Sequence, residues 1–277
     1  MTDARLPMLL DPAELADQLG TPGLQVIDLS PGEVFAEHHA PGASHLPYGE
    51  ITTSRPPVGG LVPGHDHLQQ LFSRLGIDAD THVVAMDAEG GGAAGRLIWT
   101  LELLGHQQYS LLDGGLRAWV EEGYPIERGP GSLPEARTFD PRPCPDVSAD
   151  ARFILDGLGR GDLAFLDARS REEYTGQVAR AARGGRIPGA IHFEWTQGMA
   201  RERSLRMREP EVLRDELASL GLSPDRDIVT YCHTHHRSAF TYIMLRILGF
   251  RAVRGYPGSW SDWGNRDHTP IETDYPG

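Results

Sequence analysis

IVTYCHTHHRSAF, residues 228–240, contains a complete strand–loop–helix junction. Ile228, Val229 and Tyr231 form a short apolar run of β type, and a tight polar loop follows from Cys232 to Arg237. Phe240, Ile243, Met244, Ile247 and Leu248 then recur at helix spacing, so a helix is expected from near Ser238, with Gly249 as its stop. Such a junction aims backbone N–H groups and the positive end of the helix into the loop. A cysteine placed there ionises below the free value of about 8.5, and the thiolate is the nucleophile. The plainer alternative is a small buried residue at a strand end. The HTHHR that follows is too polar for a core, which favours the reactive thiol.

The junction belongs to a repeat. LQVIDLS (24–30), APGASHLPY (40–48), LGIDADTHVVAMD (75–87), LLGH (103–106) and DGGLRAW (113–119) appear once. They recur in the same order as LAFLDARS (163–170), IPGAIHFEW (187–195), LGLSPDRDIVTYC (220–232), ILGF (247–250) and PGSWSDW (257–263). Each half is therefore one copy of a unit of about 120 residues. The segment RGPGSLPEARTFDPRPCPDVS (128–148) is rich in Pro and Gly and has no periodicity, so it reads as a linker crossing the surface. The expected division is a first domain over 1–128, a linker over 129–147 and a second domain over 148–277.

Within each copy, buried strands are expected at 26–29 and 82–86, and at 163–166 and 227–231. Helix spacing covers 68–75 and 212–220, each ending at a glycine suited to a left-handed cap, Gly76 and Gly221. Alternating strands and helices imply an α/β fold, with a small central parallel sheet flanked by helices in each domain. Ligands bind such sheets at the carboxyl ends of the strands, where Cys232 falls. Aligning the copies sets Asp87 in the place of Cys232. The first loop, DAEGGGAAG (87–95), has no thiol, so only the second copy carries sulfur chemistry.

Composition narrows the function classes. The net charge of −13 argues against a nucleic-acid partner. The acidity lies in the first 130 residues, with 6 Arg against 18 Asp and Glu; the remainder has 20 against 21. There is no lysine, so any fixed cation is arginine. No apolar stretch is long enough to cross a membrane, and the N-terminal stretch, broken by Pro7, does not read as a signal peptide. Two cysteines make no disulfide framework, so a reducing cytoplasm is expected. Cys144, between two prolines of the linker, has no strand–loop–helix context and reads as incidental. Cys232, His233, His235 and His236 also invite a metal reading. An anion-type loop aims backbone donors inward and most side chains outward, which does not suit a tetrahedral cage.

These motifs resemble the tandem-domain rhodanese family of thiosulfate and 3-mercaptopyruvate sulfurtransferases. The similarity runs from about residue 8 to 272 and includes PGA motifs in both copies and one active-site loop in the second. CHTHHR is similar to the C-x-T-H-H-R loop of a bacterial subgroup. It departs from the vertebrate thiosulfate type, with its lysine and second arginine, and from the small, glycine-rich mercaptopyruvate loop. Glu173 of DARSREEY stands where several relatives have arginine, so the substrate contacts of other subgroups do not carry over.

The resemblance implies two rhodanese-like domains and a double displacement, in which Cys232 takes a sulfane sulfur as a persulfide and passes it on. The expected donor is a small anion, thiosulfate or mercaptopyruvate, and the expected acceptor is cyanide or a thiol, including that of a sulfur-acceptor protein. No metal or organic cofactor is called for. Backbone N–H groups from His233 through Thr234 to Ser238 can surround the sulfur. Arg237 either forks onto an oxyanion or holds the loop carbonyls. His235 and His236 either attract an anionic donor or shape the entrance. Arg183 and Arg186, ahead of the second PGA motif, are expected as further substrate contacts. The main alternatives are a mercaptopyruvate sulfurtransferase and a sulfur-relay protein. Dual-specificity phosphatases and arsenate reductases resemble the loop too, but have five residues between cysteine and arginine. Here there are four.

Overall fold

The computed structural model describes residues 6–274. The signal-peptide reading falls partly on residues 1–5, which lie outside the described residues. In chain order the strands are β1 (Leu9–Leu10), β2 (Leu24–Asp28), β3 (Ser44–His45), β4 (Thr53–Arg55), β5 (Val58–Leu61), β6 (His82–Met86) and β7 (Tyr109–Leu112). The second half adds β8 (Leu163–Asp167), β9 (Ile191–His192), β10 (Met199–Ala200), β11 (Arg206–Met207), β12 (Asp227–Tyr231) and β13 (Val253–Gly255). The helices are α1 (Pro12–Gln18), α2 (Gly32–Glu37), α3 (His65–Arg74), α4 (Gly92–Leu103) and α5 (Gly115–Glu121). They continue with α6 (Ala151–Gly157), α7 (Arg171–Thr175), α8 (Pro210–Ser219), α9 (Arg237–Ile247) and α10 (Ser259–Trp263).

In the first half the sheet order is β1-β7-β6-β2-β3, and every pairing is parallel. Val26, Val84, Met86 and Leu112 pack there with Leu15, Phe35 and Trp119. In the second half the order is β13-β12-β8-β9, again parallel throughout. Phe165, Val229 and Tyr231 pack with Ile154, Trp260 and Trp263. The two orders coincide once β2, β3, β6 and β7 are matched with β8, β9, β12 and β13. The counterpart of β1 has shrunk to one parallel bridge, Ser148 to Gly255. Strands covered on both faces read as unbroken apolar runs, which is why they were legible in the sequence.

The PGA motifs have a backbone cause. Pro41–Gly42 and Pro188–Gly189 form turns in which the N–H of Ala43 reaches Ala40 O and that of Ala190 reaches Ile187 O, both at 3.0 Å. The glycines take φ of +73° and +72°, as the third position of a type II turn requires. Each turn delivers a short edge strand whose histidine ring bonds a carbonyl, His45 to Ser30 O and His192 to Arg169 O, both at 2.9 Å.

Helices α3 and α8 start at His65 and Pro210, earlier than the apolar spacing indicates, because their first turns are polar. Gly76, Gly221 and Gly249 follow α3, α8 and α9 with φ of +69°, +79° and +92°, the left-handed stops expected of them.

Two compact units emerge, and each takes in a hairpin from the other half of the chain. One comprises Met1–Ile51, Pro63–Cys144 and Met199–Met207; the other comprises Thr52–Val62, Pro145–Gly198 and Arg208–Gly277. In the first unit, Arg206 of β11 pairs with Asp11 and Glu122 at 2.7 Å and with Asp113 at 3.2 Å. Residues 129–144 form no helix or strand, yet they bond that unit through Arg137 N–H to Ser73 O and Cys144 N–H to Leu103 O. Phe139 is buried there, edge-on to Phe72. Among the described residues no helix is long and apolar enough to cross a membrane.

Candidate active site

The apolar strand β12 ends at Tyr231, and after five intervening residues α9 begins at Arg237. Cys232 opens the loop between them and is 1% exposed. The loop closes tightly because His235 takes a left-handed φ of +54°, unusual for a residue with a side chain. His235 is fully buried, and its Nδ1 lies 2.8 Å from Ser238 Oγ, so its ring packs the loop from within and does not line an entrance. His236 is half-buried and edge-on to Trp195. His233 is half-buried too, and burial, aided by the charge of Arg237, depresses its pKa and favours the neutral ring.

A second segment holds the loop from the other side. The N–H of Trp260 donates to Cys232 O at 3.0 Å, and that of Ser261 to His233 O at 2.9 Å. Ser259 Oγ accepts from Cys232 N–H at 3.2 Å and donates to Tyr256 O at 2.6 Å. Ser259 itself has φ of +48°. Hairpin β4–β5 completes this support: Gly59 exchanges hydrogen bonds with Ser261 Oγ at 3.0 and 3.1 Å, and Gly60 lies against Thr234.

Burial alone raises the Cys232 thiol. The positive charge of Arg237, the Ser238 hydroxyl and the backbone N–H groups of Ser238 and Thr234 outweigh it, so the thiol lies below its ordinary pKa. Arg237 is engaged outside the loop through its outer nitrogens. Both terminal nitrogens reach one carboxylate, Glu173, at 2.6 and 3.0 Å. Glu173 is set in place by the capping box of α7, in which Ser170 and Glu173 bond each other's backbone N–H.

Arg183 and Arg186, expected as further substrate contacts, are instead engaged by the C-terminal segment. Arg183 donates to the carbonyls of Trp263, Arg266 and Thr269. Arg186 pairs with Asp274 at 2.9 Å and Glu272 at 3.4 Å, with its guanidinium 4.5 Å from the Tyr174 ring. The contributions of Ser259, Glu173 and the β4–β5 hairpin went unread in the sequence. Two signals pointed to them: the serine of PGS where the first copy has DGG, and the S-x-x-E spacing of Ser170 and Glu173.

The matching loop of the first copy shows what the cradle favours. Asp87 stands at the end of β6, and its carboxylate accepts from Glu89 N–H at 2.9 Å, Gly91 N–H at 2.8 Å and Ala94 N–H at 2.9 Å. That copy thus fills its anion site with its own side chain. Among the described residues no group of three or more His, Cys, Asp or Glu side chains is arranged to hold a metal ion.

The fold and this site define a class: a doubled parallel α/β unit with an anion-cradling loop in each copy and a thiol in only one. The rhodanese-like domain family model matches residues 11–122 and 150–266, and the chain belongs to the rhodanese family. It is 43% identical over 272 residues to the thiosulfate sulfurtransferase of Azotobacter vinelandii, covering 97% of this chain and 98% of that one. It is equally similar to the thiosulfate sulfurtransferase of Pseudomonas aeruginosa, 43% identical over 272 residues, covering 96% and 97%. Among solved structures, a crystal structure of YnjE superposes with a TM-score of 0.86 at 23% identity, over 98% of this chain and 69% of that one, a likeness of fold.

Proposed function

We propose that this protein is a thiosulfate sulfurtransferase working by double displacement through Cys232. The Cys232 thiolate attacks the outer sulfur of thiosulfate; a new S–S bond forms, the old one breaks, and sulfite leaves with the electron pair. Cyanide or a thiol, free or on a sulfur-acceptor protein, then attacks the terminal sulfur and returns the thiolate. Two anions occupy the loop in turn, thiolate and persulfide. The observation that carries the reading is the convergence of the Thr234 and Ser238 N–H groups, the Ser238 hydroxyl and the Arg237 charge on one sulfur. The thiosulfate donor is supported by the full-length similarity to the Azotobacter protein. The four-residue spacing from Cys232 to Arg237 favours a sulfur donor over phosphate. A free reactive thiol suits a reducing compartment such as the cytoplasm.

Sulfur transfer from thiosulfate to cyanide tests this. Cys232→Ser is expected to abolish it, while Cys144→Ser leaves it near wild type. Equal loss in both variants would remove Cys232 from its role. Turnover with thiosulfate should also exceed that with 3-mercaptopyruvate.

A further inference from the structure

Glu173 lies in the first turn of α7, and its surroundings set it apart from an ordinary surface acid. Its side chain is 4% exposed. One carboxylate oxygen takes Arg237 at 2.6 Å; the other takes Arg237 at 3.0 Å and the Arg180 Nε at 3.3 Å. The capping box of α7 leaves the carboxylate little freedom to move away. Burial opposes its charge, but Arg237, Arg169 and Arg180 hold its carboxyl below the usual range, so it is ionised at neutral pH. Arg237 is also the cation whose field reaches the Cys232 sulfur.

We propose that Glu173 is a specificity-determining residue that withholds Arg237, and with it Arg180, from an incoming anionic donor, leaving anion recognition to the backbone of the loop. Two consequences follow. The first is that Arg237 presents its paired face to Glu173, so an oxyanion competes with a two-point ion pair already made. The second is that the negative carboxylate offsets the cationic field around the thiol, which limits how far the site favours anions over neutral molecules. A donor or acceptor of low charge therefore meets no strong electrostatic selection, as suits a site that must admit an anionic donor and then release an anionic product. The proposal rests on the reading of Cys232 as the reactive thiol.

The test uses two alkylating probes of similar size and different charge, iodoacetate and iodoacetamide, on the full chain, with the modified residue located by mass spectrometry. The ratio of their rates at Cys232 cancels any change in thiolate fraction and reports anion attraction alone. Glu173→Gln is expected to raise the iodoacetate-to-iodoacetamide ratio by about threefold or more at low salt, with the gain shrinking at high ionic strength. Glu173→Asp, which keeps the charge, should return the ratio toward wild type even if both absolute rates fall. An unchanged ratio in Glu173→Gln, or equal changes in Gln and Asp, would overturn the proposal while leaving Cys232 in place. Failure of both probes to label Cys232 in the wild-type protein would overturn the underlying reading and the proposal together.

Discussion

The Cys232 sulfur is buried, and burial by itself favours the neutral thiol. Its reactivity must therefore come from groups that favour the anion, and those groups work only while the backbone of Cys232 is held still. Ser259 does the holding: it accepts the Cys232 N–H while sitting at a left-handed φ of +48°. At the matching position the first copy has Gly115, with φ of +57°, where such a backbone carries no penalty. A serine at a strained position beside the thiol places a hydroxyl where glycine would carry no strain. Ser259→Ala keeps the strain and removes the acceptor, leaving a buried N–H unpaired at a cost of about 1–3 kcal/mol. Sulfur transfer should fall by roughly tenfold or more, as the loss of one positioning bond allows. Ser259→Gly should lose less thermal stability than the alanine variant yet be equally slow. Full activity in Ser259→Gly would show that backbone shape alone positions Cys232.

Strand β12 and helix α9 bring the loop to the carboxyl end of a central strand, and this junction was legible because an apolar run and a helical spacing flank it in sequence. The hairpin β4–β5 was not. Its residues, VGGL among them, carry little periodicity, and their partners are Thr234 and Ser261, about 170 to 200 positions further along the chain. Gly60 makes the dependence testable. It has φ of +69°, and a Cβ there would overlap the Thr234 carbonyl oxygen and lie 2.7 Å from Thr234 Cβ. Gly60→Ala must displace either the hairpin or the active-site loop, so steady-state sulfur transfer should drop by about tenfold or more, with a smaller effect on the circular dichroism of the sheets. Unchanged kinetics would mean that the hairpin does not govern the loop. The partners of Arg183 and Arg186 are illegible in the sequence for a related reason. A run of arginines reads as an anion site, but the residues that bind these two, from Trp263 to Asp274, are close only after folding.

At the scale of the molecule, duplication has left one copy with a thiol and the other with a carboxylate, and the two also differ in a buried charge. In the second copy, Asp167 at the end of β8 is paired with Arg169 at 2.5 Å. In the first, Asp28 at the end of β2 is followed two positions on by Ser30, and among the described residues no arginine is paired with it: Asp28 Oδ1 accepts from Ser30 N–H at 2.8 Å, while Oδ2 is buried without a hydrogen bond. Burial, together with the nearby Asp87, pushes the Asp28 carboxyl up to about 6. A raised carboxyl pKa means that the folded state holds its proton more tightly than the unfolded chain does. Its stabilising effect is complete below about pH 4 and is lost as pH rises through about 6. Asp28→Asn should therefore stabilise the protein at pH 7.5 by on the order of 2 kcal/mol, with the advantage fading by about pH 4.5. Thermal melts at the two pH values check this, and a destabilisation of equal size at both would contradict it. The central claim is that one sulfur atom resides on Cys232 between half-reactions. Intact-mass measurement after thiosulfate treatment tests it most directly. The wild-type protein should gain about 32 Da, one sulfur atom, that cyanide removes, and Cys232→Ser should gain nothing. No gain in the wild type, or the same cyanide-labile gain in Cys232→Ser, would contradict the account.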